Sequence, residues 1–143
     1  MPQLPVRKGS AFTVRAHNAV HRFHRDLPLS PTFAYGDATY LGAILEAQSG
    51  VETQLTFDND LGEHVFAQDI DTTVHGVTEL DRIAPRSVVH LHGGVTPPQF
   101  DGHPHATQRP GESFVHRYPN TQEAACLWYH DHAMGITRLN AYA

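Results

Sequence analysis

Glycine and proline interrupt this chain every few residues, and the stretches between them are brief and rich in Val, Thr, Phe and Tyr. Such punctuation predicts short strands joined by turns. The alternation is clearest from Val51 to Phe57. Val51, Thr53, Leu55 and Phe57 share one face there, Glu52, Gln54 and Thr56 share the other, and Asn59-Asp60 follows as an expected turn. Comparable segments run from Ala11 to Arg15, Ala43 to Ala47, Ser87 to His92, Ser113 to Tyr118 and Ala124 to His132. Strands of this spacing point to an all-β sandwich or barrel. The acidic stretch from Leu61 to Arg86 is weakly patterned and is expected to be a long connection with one short strand near Val74. Pro97 through Gly111, rich in Pro, Gly and His, is expected to be loop. With neither repeat nor linker, residues 1–143 read as one domain, large enough to bury a core without disulfides or a structural metal.

Charge and composition remove several classes of function. Ten Lys and Arg against fifteen Asp and Glu leave a net charge of -5, and the basic residues are scattered, which argues against nucleic acid as a partner. No apolar run approaches the roughly 18 residues of a membrane span. The segment MPQLPVRKGSAFTV lacks the apolar core of a secretory signal, so a cytoplasmic location is the default expectation. Cys126 is the single cysteine, which rules out an internal disulfide and a Cys-rich metal cluster. Lying in an apolar segment, it is expected to be buried in the core.

Twelve histidines remain to be explained, and their spacing is informative. His90-Leu91-His92 and His130-Asp131-His132 each fall on an expected strand. Alternate strand residues share a face and lie about 6.5–7 Å apart, so each pair aims two imidazoles the same way. If the two strands are neighbours, about 4.8 Å apart, four imidazoles converge. An all-imidazole donor set suits copper or zinc and disfavours calcium or magnesium, which take oxygen ligands. Other histidines carry weaker patterns. His75 has no second histidine two residues away and is not expected to bind metal, while His103 and His105 flank Pro104 in a turn-rich stretch and are expected on the surface. His17, His21, His24, His64 and His116 fit no ligand spacing, while Trp128 and Tyr129 are expected to serve packing, with a place near the converging imidazoles as the alternative.

The segments VVHLHGGVTPP, DGHP, PGESFVHRYPN and LWYHDHAMGITRLNAYA, in this order and spacing, resemble the first domain of multicopper oxidases. The likeness is greatest to the branch of bacterial spore-coat laccases, bilirubin oxidases and phenoxazinone synthases, and HRDLP, YGDATYLGAILEAQSG and DTTVHG extend it upstream. The resemblance implies a cupredoxin-like (plastocyanin-like) Greek-key β-sandwich that binds copper. It implies that His90 holds a type 2 copper and that His92, His130 and His132 hold a type 3 pair. In that family the three-copper cluster reduces dioxygen to water with electrons from phenols, aminophenols, bilirubin or metal ions. Asp101 stands where the family keeps an acid near the cluster, which makes it the candidate for proton handling, although an Asp-Gly turn is the commoner reason for an Asp at such a place.

The departures matter as much. The His-Cys-His segment of the type 1 copper site is absent, as are the remaining cluster histidines, and relatives continue past RLNAYA into a strand that closes the domain. The sandwich is therefore expected to lack its last strand and to leave an edge open. A chain of this kind is expected to need a second chain carrying the remaining oxidase domains before it turns over dioxygen. Two alternatives stand beside that reading: a stand-alone copper-binding or carrier module, and a truncated remnant without function. A cupin would want an acid about four residues after the first His pair, and Gly93-Gly94-Val95-Thr96 supplies none.

Overall fold

Alternating burial organises the larger sheet. The computed structural model describes residues 4–143. In chain order its strands are β1 (Val6–Lys8), β2 (Ala11–His21), β3 (Ser30–Tyr35), β4 (Ile44–Glu46), β5 (Thr53–Asp60), β6 (Val89–His92), β7 (Ser113–Tyr118) and β8 (Trp128–Asp131). One helix, α1 (Thr137–Tyr142), follows. The larger sheet has the order β3-β2-β5-β7, with β2 parallel to β5 and the outer strands antiparallel to their neighbours. β6 pairs antiparallel with β8, and β1 pairs parallel with β4.

The core lies between these layers. Val14 and Ala16 of β2, Leu55 and Phe57 of β5 and Tyr118 of β7 form one buried cluster with Val89 of β6. Leu91 and Tyr129 pack against it from the small β6–β8 sheet. Each fully buried large apolar side chain contributes about 1.5–3 kcal/mol, so β6 and β8 are held to the sandwich by the same face that points away from their histidines. Ile70, Val77, Ala133 and Ile136 form a second buried cluster under the long connection.

Several local expectations change. Asn59-Asp60 is not a turn but the end of β5. Asn59, 1% exposed, faces inward because the loops satisfy it: its amide donates to the carbonyls of Pro85 and Gln108, and its Oδ1 accepts from the Leu61 N–H. No strand forms near Val74, where the Asp71 carboxylate accepts from the Thr73 N–H and hydroxyl and turns the chain. The connection instead holds two 3-10 turns, Ala67–Asp69 and Glu79–Arg82. The last segment is strand only from Trp128, because β6 ends at His92, the register partner of Trp128, and leaves residues 124–127 nothing to pair with. Cys126 is consequently exposed rather than buried. β2 extends to His21, and β3, unexpected from the sequence, pairs with its second half. Among the described residues, no helix is long and apolar enough to cross a membrane.

Candidate metal centre

The β6–β8 register builds the site. His90 lies opposite His130 and His92 opposite Trp128, while Val89 and Leu91 lie opposite Asp131 and Tyr129. Period-two alternation therefore sorts the ribbon into two faces. The inner face carries Val89, Leu91, Tyr129 and Asp131. The outer face carries His90, His92, Trp128 and His130, and the next alternate residue, His132, continues it where its N–H donates to the Val88 carbonyl at 3.0 Å.

The four imidazoles come together. Ring centres of His90 lie 5.6 Å from His92, 5.5 Å from His130 and 5.1 Å from His132, and those of His92 and His130 are 5.5 Å apart. One ring nitrogen from each of His90, His92 and His130 falls within 4.8 Å of the others. Nitrogens about 2.0–2.1 Å from a shared ion lie up to about 4 Å apart, so small ring rotations bring the three to ligand spacing.

Hydrogen bonds set the tautomers. His90 Nδ1 is 2.5 Å from the Asp101 carbonyl and His130 Nδ1 is 2.5 Å from the Asp131 carbonyl. A carbonyl only accepts, so both Nδ1 atoms carry the proton and both Nε2 atoms carry the lone pair, the arrangement that orients a metal-binding histidine. His92 Nδ1 and His130 Nε2 face each other at 3.3 Å, a contact that a shared ion would replace. His132 Nδ1 is buried without a protein partner. Burial, reinforced by the neighbouring imidazoles, holds the pKa values of His130 and His132 below the ordinary histidine range. Neutral rings are the form that binds metal. An all-imidazole donor set with an orphaned ring nitrogen fits copper.

Asp131 and Asp101 anchor the frame from opposite sides. Asp131 points inward, where its carboxylate accepts from Ser87 Oγ at 2.7 Å and from the N–H groups of Val88 and Ala133. It thereby ties the start of β6 to the end of β8. Burial pushes its pKa up to about 6 against the pull of those bonds. Asp101 holds His90 through its backbone, with its half-exposed carboxylate 3.6 Å from His90 Nδ1. The Asp-Gly turn and the proximity to the cluster are both realised here. Gly102, at φ +76°, packs directly behind Val89 and His90.

Trp128 takes the alternative place, beside the cluster. Its indole stacks on His92, centres 4.9 Å apart and 25° between planes, and on His130 at 4.2 Å and 22°. It caps the histidine ladder while remaining 57% exposed. The signal was present in its position two residues before His130, on the same strand face. The Asp131 anchor was legible too, as the residue between two outward histidines. His103 and His105 are exposed loop residues, as expected, and His75 is exposed as well. His64 and His116 are buried outside the cluster.

Residues 77–142 match the multicopper oxidase family model. Over nearly the whole chain there is 36% identity to the laccase of Bacillus subtilis strain 168, covering 99% of this chain and 29% of the relative. Multicopper oxidase LPR1 of Arabidopsis thaliana is 40% identical, covering 96% and 26%. Among solved structures, a laccase-like multi-copper oxidase CueO from an Ochrobactrum species superposes with a TM-score of 0.78 at 20% identity, covering 99% of this chain and 27% of the other. The Campylobacter jejuni multicopper oxidase gives 0.67 at 18% identity, covering 99% and 28%. The chain thus spans well under a third of the length of these relatives.

Proposed function

We propose that this chain, whose residues 77–142 match the multicopper oxidase model and which aligns over nearly its whole length with laccases, is the copper-binding, cupredoxin-type first domain of that family and supplies one wall of the cluster where dioxygen is reduced to water. The observation that carries this reading is the four-imidazole ladder on the outer face of β6 and β8. His90 takes the type 2 position, and His92, His130 and His132 take the type 3 positions. Copper, when bound, supplies the one-electron steps that pass electrons from a phenolic-type substrate to dioxygen.

The chain's own residues do the rest. The carbonyls of Asp101 and Asp131 fix two rings with Nε2 unprotonated, and Trp128 limits the tilt of His92 and His130. The Asp101 carboxylate, half-exposed and 3.6 Å from His90 Nδ1, is the group placed to hold a proton beside the cluster and exchange it with solvent. Three or four imidazoles on one open face leave coordination positions to water, and an open, hydrated site is poorly oriented for redox work. Dioxygen reduction therefore requires further imidazoles and an electron-entry site, with the family's remaining oxidase domains as the partner that supplies them. Exposed Trp128 and the adjoining groove, lined by Phe33, Tyr40, Leu41 and Leu61, offer that partner apolar surface beside the cluster.

The test is Cu(II) titration of the purified chain with spin-resonance detection, on wild type and on His90→Ala and His130→Ala. Stoichiometric binding that both substitutions weaken, with no oxygen consumption by the chain alone, is the expected result. Binding that is absent or indifferent to both substitutions overturns the reading in favour of a remnant. Oxygen consumption by the chain alone overturns the requirement for a partner.

A further inference from the structure

A second group of histidines assembles away from the ladder. His75 comes from the long connection, and His103 and His105 come from the loop after β6; all three are exposed. The ring centres of His103 and His105 are 5.6 Å apart and those of His75 and His105 are 6.2 Å apart. The His103–His105 separation matches the 5.5 and 5.6 Å found among His90, His92 and His130, and His75 lies farther out. No sequence spacing links His75 to the other two, so their meeting is a product of the fold.

The two loops do not meet by chance of side-chain rotation, because the turn after β8 clamps both. Met134 N–H donates to the Pro104 carbonyl at 3.0 Å, which fixes the residue between His103 and His105. Gly135, at φ +80°, packs so closely on the His75 carbonyl that a Cβ there would lie 2.8 Å from it. Gly76, at φ +82°, lies against the Met134 side chain, where an added Cβ would be 2.9 Å from its Cγ. Arg86 closes the frame: its Nη2 donates to the carbonyls of Gly76 at 2.7 Å and Met134 at 3.1 Å, while its guanidinium is held by buried Asp81. The backbone beneath the three imidazoles is thus cross-braced. The rings themselves are exposed, and His103 Nδ1 is held only by a 3.3 Å contact with the His105 N–H.

We propose that His75, His103 and His105 form a second, solvent-exposed site for a divalent transition-metal ion of the imidazole-binding class, such as Zn(II) or Cu(II). Three imidazoles provide a donor set this class favours. Water completes the coordination, and the ion exchanges freely. The braced backbone means that little chain ordering is left to oppose binding, while turns of exposed side chains bring the nitrogens to about 2.0–2.1 Å from the ion. This site shares no ligand with the His90 cluster.

Zn(II) alone is the probe, titrated into the full chain while the imidazole resonances of each histidine are followed by NMR. The resonances of His75, His103 and His105 are expected to move together with one equivalent of Zn(II), separately from those of His90, His92, His130 and His132. His75→Ala and His105→Ala are each expected to weaken that equivalent at least about tenfold, since even groups that merely orient ligands are worth that much. The three residues are exposed, so these substitutions leave the fold in place, and resonances of the wild type distinguish the two sites without any change to the ladder. Failure of the three to shift overturns the proposal. So does a His75→Ala variant that binds as tightly as wild type, which would reduce the site to the His103/His105 pair.

Discussion

Gly102 is the residue at which a single methyl group tests how the cluster is built. It adopts φ +76°, and a Cβ added there would fall inside contact distance of the Val89 carbonyl oxygen and 2.9 Å from His90 Cα. Both obstacles are backbone of β6, so neither can swing aside. The left-handed conformation costs a residue with a Cβ about 1–2 kcal/mol, and forcing a methyl into a packed site costs about 1–3 kcal/mol. Gly102→Ala is therefore expected to lose about 2–5 kcal/mol, or very roughly 6–15 °C in melting temperature for a chain of this size. It is also expected to weaken Cu(II) binding, because β6 must shift and carry His90 with it. Gly111→Ala is the matched control: φ is +89° there, yet nothing lies within 4 Å of the added Cβ. Only the conformational cost of about 1–2 kcal/mol applies to it. Urea unfolding and copper titration of both variants decide the matter. If Gly102→Ala is no more destabilised than Gly111→Ala and binds copper like the wild type, the account of the Asp-Gly turn as a buttress for His90 is wrong.

Three further outcomes are expected. Asp81 is fully buried between Arg86 and Arg109; burial raises its pKa, but the Arg86 hydrogen bonds and charge, with the Thr78 N–H, outweigh this and leave it lowered. Asp81→Asn strands the two guanidiniums and is expected to cost about 3 kcal/mol or more in urea unfolding; a loss near zero refutes the brace. His64 accepts from the Phe66 N–H at Nδ1 and donates from Nε2 to Asn140, and burial lowers its pKa despite the help of Asn140. A lowered histidine pKa means the unfolded chain binds the proton first, so this stability is fully present above about pH 6.5 and is lost as pH falls toward the folded pKa, by at most about 1.4 kcal/mol per pH unit. Unfolding curves of wild type and His64→Gln across that range check it, and equal pH slopes contradict it. Trp128 is the single tryptophan and stacks on His92 and His130; its fluorescence is expected to fall as Cu(II) binds, and quenching that survives the double substitution His92→Ala, His130→Ala would show that the indole does not report the cluster.

Much of the site is written in alternation. Because β6 and β8 carry histidines at every second position, any antiparallel pairing that buries Val89, Leu91 and Tyr129 must turn His90, His92 and His130 outward together. The strands, their faces and the metal-binding character of the chain were therefore available from residue order, through the period of two and the chemistry of imidazole. Other features depended on partners distant in the chain, and local pattern is blind to those. Asn59 reads as a turn residue until Pro85 and Gln108 supply its acceptors. Cys126 reads as core until β6 proves too short to pair with the segment that holds it. His75, unremarked by any spacing, joins His103 and His105 only because Gly135 and Arg86 draw two loops onto one turn. The sequence by itself determined the sandwich and the outward histidines, since both follow from which side chains water rejects. Tertiary structure decided the register, the tautomers and the second histidine group, since those rest on backbone carbonyls and close approaches between segments that no local pattern encodes.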